Sequence, residues 1–200
     1  MKKLFFFSLL FVVSASMVLK PAELRIGDKA PFPDTKMTDI SGKSYSFNEV
    51  KKKNGLLVVF SCNTCPWVIK NQDVATAGYN YALSKNVGVI VLNSNEAQRG
   101  GDDSKEAMKQ YAKDQNYKWP YVMDENSAMA NAFGAKVTPE CYLFDKDMNL
   151  VYHGAITDNP KTPAESTRDH LKVAIDEMVG GKTISMSTSK AMGCTIKRKS

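Results

Sequence analysis

At 200 residues, 43% hydrophobic and 24% charged, the chain suits one globular domain with a sizeable core and leaves little room for a second. Its net charge of +6 marks no basic face, because Lys2 and Lys3 supply two of those charges and Lys197, Arg198 and Lys199 three. With no basic stripe interleaved by aromatics, no Gly-rich phosphate loop after a strand and no internal repeat, the sequence excludes a nucleic-acid partner and nucleotide-loop chemistry.

Lys2-Lys3, the apolar run Leu4 to Val13 and the small residues Ser14-Ala15-Ser16 have the layout of a secretory signal peptide, with cleavage expected after Ala15. The run is too short to span a bilayer, which takes ~20 residues. An uncleaved membrane tether is therefore the second reading. No cysteine lies near the segment, which argues against a lipid anchor. Export places the chain in a periplasmic or secreted setting, where disulfides form and persist.

Leu24 to Pro33 predicts a loose extended stretch, and Thr38 to Phe47, turning at Asp39-Ile40-Ser41-Gly42, a short hairpin. Asn48 to Asn54 reads as a polar helical turn or loop. The apolar run Leu56 to Phe60 then stops at Ser61-Cys62-Asn63-Thr64-Cys65-Pro66-Trp67. A buried strand ending in C-x-x-C reads as a redox site, since two sulfurs so spaced can close as a disulfide and reopen under attack by a thiolate. Structural cysteines or half of a zinc site are the alternatives. Residues 66 to 84 predict a helix, with Val68, Ile69, Ala75, Tyr79 and Leu83 on a broad apolar face. A helix starting at Cys62 would favour its thiolate. Cys62 is then the exposed attacker and Cys65 the resolving thiol.

Val87 to Asn93 is a second near-continuous apolar run, as in strands of a parallel sheet covered on both faces. Ser94 to Asp103 predicts a loop flanking the active site, and Asp102, Asp103 or Ser104 caps a helix carrying Ala107, Met108, Tyr111 and Ala112. Pro120 to Met123 is a short strand or link, and Ser127 to Phe133 a helix ended by Gly134. Val137-Thr138-Pro139-Glu140 leads into Cys141 to Phe144, which pairs with Leu150 to His153 as an antiparallel hairpin. A last helix, about Pro163 to Val179, sets Leu171, Ala174, Ile175 and Met178 on one stripe. His153 at a strand end and His170 on a helix surface carry no assigned role. After Gly180-Gly181 the polar, basic tail with Cys194 is expected to pack loosely.

A strand ending in C-x-x-C, a helix, a second buried strand, a helix, then Thr138-Pro139 before a hairpin and a closing helix resembles the thioredoxin fold. Gly27-Asp28-Lys29-Ala30-Pro31 and the segment inserted after the second strand are similar to the redoxin branch, AhpC/TSA-like and TlpA/ResA-like. Within that branch the chain looks like proteins carrying Cys-Asn-x-Cys-Pro-aromatic, here Cys62 to Trp67, and a late Gly-Cys-x-Ile-Lys, here Gly193 to Lys197. The domains read as signal peptide 1–15, thioredoxin-like domain 16–180 and tail 181–200.

The resemblance implies an α/β fold whose central mixed sheet has helices on both faces. It implies an exported thiol:disulfide oxidoreductase using a Cys62–Cys65 dithiol/disulfide, with no cofactor and no metal. Its partners are protein or small-molecule thiols and disulfides and a redox partner protein. Pro139 takes the place of the cis proline beside the disulfide, exposing the Thr138 backbone to an extended substrate, and Trp67 roofs the site or fills the core. Cys141 is a small buried apolar residue or an accessory thiol. Cys194 is a resolving thiol, a partner for Cys141 or an intermolecular link.

Two departures bear on function. Ser61 and Asn63-Thr64 stand where thioredoxin has Trp before the first cysteine and Gly-Pro between the pair, so the redox poise stays open. The peroxiredoxin pattern P-x-x-x-T/S-x-x-C is absent, with Gly55 and Val59 before Cys62 and Val58 and Cys62 before Cys65, which disfavours a thiol peroxidase. Copper delivery by a Sco-like protein is the other alternative, since two soft thiolates suit Cu(I).

Overall fold

The computed structural model describes residues 23–199, so the expected signal segment lies outside the described residues. Five strands form the central sheet: β3 (Gly55–Ser61), β4 (Val87–Asn93), β5 (Tyr121–Met123), β7 (Glu140–Phe144) and β8 (Leu150–Gly154), in the order β5-β4-β3-β7-β8. β3 runs parallel to β4 and β4 to β5, whereas β7 runs antiparallel to β3 and to β8. This is the mixed sheet of the expected fold. Two small pairs lie outside it, the hairpin of β1 (Met37–Thr38) with β2 (Ser44–Tyr45) and the pair of β6 (Val137–Thr138) with β9 (Cys194–Thr195).

All seven residues of β3 and of β4 are buried, because the sheet is covered on both faces. Side chains alternate across it. Leu57, Val59, Val89, Val91, Cys141 and Leu143 pack with α3 (Gln72–Ser84), α4 (Lys105–Asp114) and α6 (His170–Val179) through Tyr79, Ala82, Met108, Leu171 and Ile175. Leu56, Val58, Phe60, Ile90, Leu92, Tyr142 and Phe144 face α1 (Phe47–Val50) and α5 (Ala128–Phe133). There Phe133 meets Phe47, Phe60, Tyr142 and Phe144 edge to face at centroid distances of 5.1–5.9 Å, a geometry worth about 0.5–1.5 kcal/mol per pair beyond area burial. Gly134, at φ 69°, ends α5 in the left-handed conformation that glycine adopts without steric cost.

The structure redraws several expected elements. The helix after C-x-x-C begins at Pro66, as residues 66 to 84 predict, so it does not start at Cys62, and it breaks at Asn71 into α2 (Pro66–Lys70) and α3. Asn71 donates through Nδ2 to the carbonyls of Trp67 (2.9 Å) and Pro160 (3.0 Å), tying the break to a distant loop. Ile69 therefore points outward, 57% exposed, rather than joining the apolar face. The closing helix is also shorter than expected: a turn at Pro163–Glu165 precedes α6, whose N-cap is Asp169, accepting from the Lys172 N–H at 3.0 Å. His170 consequently sits nine-tenths buried at the helix start instead of on its surface.

The tail is not loose. Residues 187–189 run along the outer edge of β8, with the His153 N–H donating to the Ser187 carbonyl (2.9 Å) and the Ser189 N–H to the His153 carbonyl (3.0 Å). The chain then reaches β6 as β9, and Ile196 is buried at 3% exposure on the α5 face of the sheet. Covering the β8 edge leaves fewer unpaired backbone groups open to another chain. Among the described residues no helix is long and apolar enough to cross a membrane.

Candidate active site

The site forms at the carboxyl ends of β3 and β4, where open sheets with parallel strands leave a crevice for ligands. Cys62 directly follows β3, and Cys65 is the N-cap of α2. Cys62, Cys65 and Val68 form one buried cluster, with Trp67, Tyr111 and Cys194 packed against it. Cys65 is bridged to Cys194, whereas Cys62 is a free thiol. The bridge therefore joins the second cysteine of C-x-x-C to the tail rather than to Cys62.

Cys62 is also not the exposed residue expected of an attacker: it is 1% exposed and Cys65 4%. Burial pushes the Cys62 thiol above the ordinary cysteine value; the Thr138 hydroxyl opposes this, the Asp103 carboxylate adds to it, and the N–H groups of Cys65 and Thr64 oppose it. The expected helix-end stabilisation fails because α2 starts four residues later and spans five residues, while the dipole acts within the first turn.

Thr138 lies against both sulfurs. Its Oγ1 is 3.3 Å from Cys62 Sγ, and its carbonyl oxygen is 3.3 Å from Cys65 Sγ. The Thr138-Pro139 peptide is cis, as the resemblance implied. The next residue, Glu140, is buried and holds this segment: its Oε2 accepts from the N–H groups of Lys136 (2.8 Å) and Val137 (3.2 Å), and its Oε1 meets His153 Nε2 at 2.7 Å. His153 stacks on Tyr142 at 4.2 Å, so this strand-end histidine has a structural task that the sequence left unassigned.

A polar network that the sequence did not reveal supports the C-x-x-C loop from the other side. Asp103, fully buried, accepts at Oδ1 from the Asn63 N–H (3.1 Å) and Asn93 Nδ2 (2.6 Å), and at Oδ2 from Asn95 Nδ2 (2.9 Å). Tyr121 donates its hydroxyl to Asn63 Oδ1 at 2.9 Å. Asp103 is one of three residues that the sequence offered as a helix cap, and Ser104 is the one that caps α4, accepting from the Ala107 N–H at 3.3 Å. The legible signal was Asn93-Ser94-Asn95, three polar residues that end a buried strand.

A cavity of about 250 Å³ opens at the sulfurs, lined by Cys62, Thr64, Cys65, Asn95, Gln98 and Cys194 among others. A larger one, about 330 Å³, lies between Met37 and Met129, shares no lining residue with it and holds no cysteine. Trp67 packs on the sulfur cluster and does not line the cavity. Cys141 is wholly buried opposite Val59, and its thiol is pushed far up by burial, which makes it a core residue rather than an accessible accessory thiol. Among the described residues, the one group of three side chains placed to hold a metal ion is Glu23, Glu140 and His153; it contains no cysteine.

The Redoxin family model matches residues 25–171, most of the chain. This chain belongs to the Redoxin family. A relative of the redoxin, "Thiol-disulfide oxidoreductase ResA" from Bacillus thuringiensis subsp. konkukian, is 24% identical over 141 residues, covering 70% of this chain and 76% of its own length. Among solved structures, an uncharacterized conserved protein from Geobacillus kaustophilus superposes with a TM-score of 0.81 at 30% identity, covering 88% of this chain and 93% of its own. A hypothetical protein from Sinorhizobium meliloti 1021 does so with a TM-score of 0.81 at 29% identity, covering 90% and 97%. The thioredoxin domain of a thiol-disulfide oxidoreductase from Bacteroides vulgatus, at 21% identity and a TM-score of 0.59, shares the fold.

Proposed function

We propose that this redoxin is an exported thiol:disulfide oxidoreductase in which Cys62 attacks and Cys65 resolves. The observation that carries the reading is the free Cys62 thiol packed in one cluster with Cys65, with the Thr138 hydroxyl 3.3 Å from its sulfur. In the reducing direction the Cys62 thiolate attacks one sulfur of a substrate disulfide, the other leaves as a thiolate, and a mixed disulfide forms. Cys65, a thiolate once its bridge to Cys194 has been reduced by a dithiol partner, then attacks Cys62 Sγ, closing Cys62–Cys65 and releasing the second substrate thiol. The oxidising direction reverses these steps. As the thiolate forms, the Thr138 hydroxyl and the N–H groups of Thr64 and Cys65 favour its charge. Thr138, ahead of Pro139, offers backbone to an extended substrate once the tail strand β9 that pairs with it gives way, and the partners are protein or small-molecule disulfides together with a redox partner protein.

ResA-named relatives and the thioredoxin-like architecture support the activity. Export rests on the basic, apolar and small-residue succession at residues 2–16. The test is insulin reduction by the purified chain beside Cys62→Ser and Cys65→Ser. Cys62→Ser should lose all exchange and Cys65→Ser should trap mixed disulfides; equal residual activity in the two would refute the assigned roles. Mass spectrometry of the protein recovered from the extracytoplasmic fraction checks cleavage after Ala15.

A further inference from the structure

The edge of β6 beside the sulfurs is already taken, and its occupant is the chain's own tail. β9 lies antiparallel to β6 with Cys194 opposite Thr138 and Thr195 opposite Val137. Adding an extended strand to such an edge is a general way to hold a polypeptide, with backbone bonds giving affinity and side-chain pockets giving specificity.

Separate contacts build this docking. A Cβ at Gly193 would fall 2.1 Å from the Thr138 carbonyl oxygen, so glycine alone fits before the cysteine. Ile196 is buried, and its N–H donates to the Lys136 carbonyl at 3.0 Å. The Lys197 N–H donates to Asn95 Oδ1 at 2.8 Å, and the Lys197 carbonyl accepts from the Ala97 N–H at 2.9 Å. Arg198 donates to Asn131 Oδ1 (2.8 Å) and to the Ala135 carbonyl (2.6 Å). Of the three cysteines gathered here, Cys62 and Cys65 are buried and Cys194 is partly buried, the most accessible of the three.

We infer that Gly193–Lys197 is a built-in substrate mimic and Cys194 a third redox-active cysteine: the disulfide first made between Cys62 and Cys65 passes to Cys65–Cys194, and an extended partner chain reading Gly-Cys-x-aliphatic takes the tail's place on β6. This rests on the thiol-exchange reading above. In the transfer the Cys194 thiolate attacks Cys65 Sγ. The Cys65–Cys194 bond forms, the Cys62–Cys65 bond breaks, and Cys62 departs as a thiolate that takes up the proton lost by Cys194. No electrons are gained or lost, and Cys62 is again a thiol. A partner dithiol then completes the cycle. One partner thiolate attacks Cys194, the most accessible of the three sulfurs, and Cys65 leaves as a thiolate; the partner's second thiol displaces Cys194, so that two electrons enter the redoxin and the partner becomes a disulfide.

The test follows the order of bonds. Full chain, reduced and freed of reductant, is mixed with oxidised glutathione, quenched with acid at intervals and peptide-mapped. Cys62–Cys65 should appear first and convert to Cys65–Cys194; Cys194→Ser should stop at Cys62–Cys65, and Gly193→Ala should form Cys62–Cys65 while losing Cys65–Cys194. Formation of Cys65–Cys194 at an undiminished rate in Cys62→Ser would overturn the transfer, as would persistence of Cys62–Cys65 in the unaltered chain, which leaves exchange at Cys62 standing. Glutathione that leaves all three thiols unreacted would sink the exchange reading and this one together. For the mimic, a synthetic Gly-Cys-Thr-Ile-Lys peptide disulfide should react faster with reduced Cys194→Ser than the same peptide with alanine for glycine; equal rates would refute it.

Discussion

Replacing Ile196 by alanine probes how firmly the tail holds Cys194 at Cys65. Ile196 is 3% exposed and packs on the α5 face of the sheet, yet lies two residues beyond Cys194 and outside the sulfur cluster. Truncating a buried isoleucine to alanine costs about 2–5 kcal/mol, and the lower end applies because the segment after the two-residue strand β9, outside the central sheet, can close over the space more easily than a core element. About 2 kcal/mol corresponds to about a 30-fold loss in the equilibrium that brings Cys194 to Cys65. The assay equilibrates the chain in glutathione buffers of stepped oxidised-to-reduced ratio and maps the fraction bridged Cys65–Cys194. The ratio at half formation should shift by about 30-fold toward oxidised glutathione. A shift under about threefold, which is about 0.7 kcal/mol, would refute the idea that Ile196 burial anchors the tail.

Other perturbations have definite signs. Asp103→Asn removes a charge that disfavours the Cys62 thiolate, so the pH profile of Cys62 alkylation in the reduced chain should move to lower pH. The same change sets an amide donor among three N–H donors and should cost about 1–3 kcal/mol in urea unfolding. Glu140→Gln loosens the clamp on Lys136 and Val137, so the rate with a peptide disulfide should fall while the rate with iodoacetamide, which needs no backbone pairing, should not. Cys62 and Cys141 are both raised above the ordinary cysteine value of 9.0 by burial. Their contribution to stability is thus fully present below that pH and lost as pH rises through the folded values; urea midpoints of the chain should fall steadily from about pH 9 upward.

How much was legible depended on the range of the interaction. Leu56 to Phe60 and Val87 to Leu92 announced themselves because a strand buried on both faces needs an unbroken apolar run. The helix after C-x-x-C starts at Pro66 and ends at Ser84 as the pattern predicts, but its break is not legible, since Asn71 pairs with Pro160, 89 residues away, and no local pattern encodes that bond. Asp103 reads as no more than one of three candidate caps because local sequence offers only the helix it precedes, whereas its partners come from the C-x-x-C loop and from the end of β4.

The sequence by itself determined the buried strands, most of the helices and the C-x-x-C spacing, because periodicity and chain-local motifs specify these, while the mixed sheet with two covering layers and the place of Thr138-Pro139 beside the sulfurs were what its resemblance to the thioredoxin fold implied. Which sulfur meets which was decided only in three dimensions. Cys65 and Cys194 stand 129 residues apart, and they meet because β9 pairs with β6 where Gly193 allows close approach. A polar tail that reads as loose becomes ordered there, since Ile196 finds an apolar surface and the Lys197 backbone finds partners that exist only once the sheet has formed.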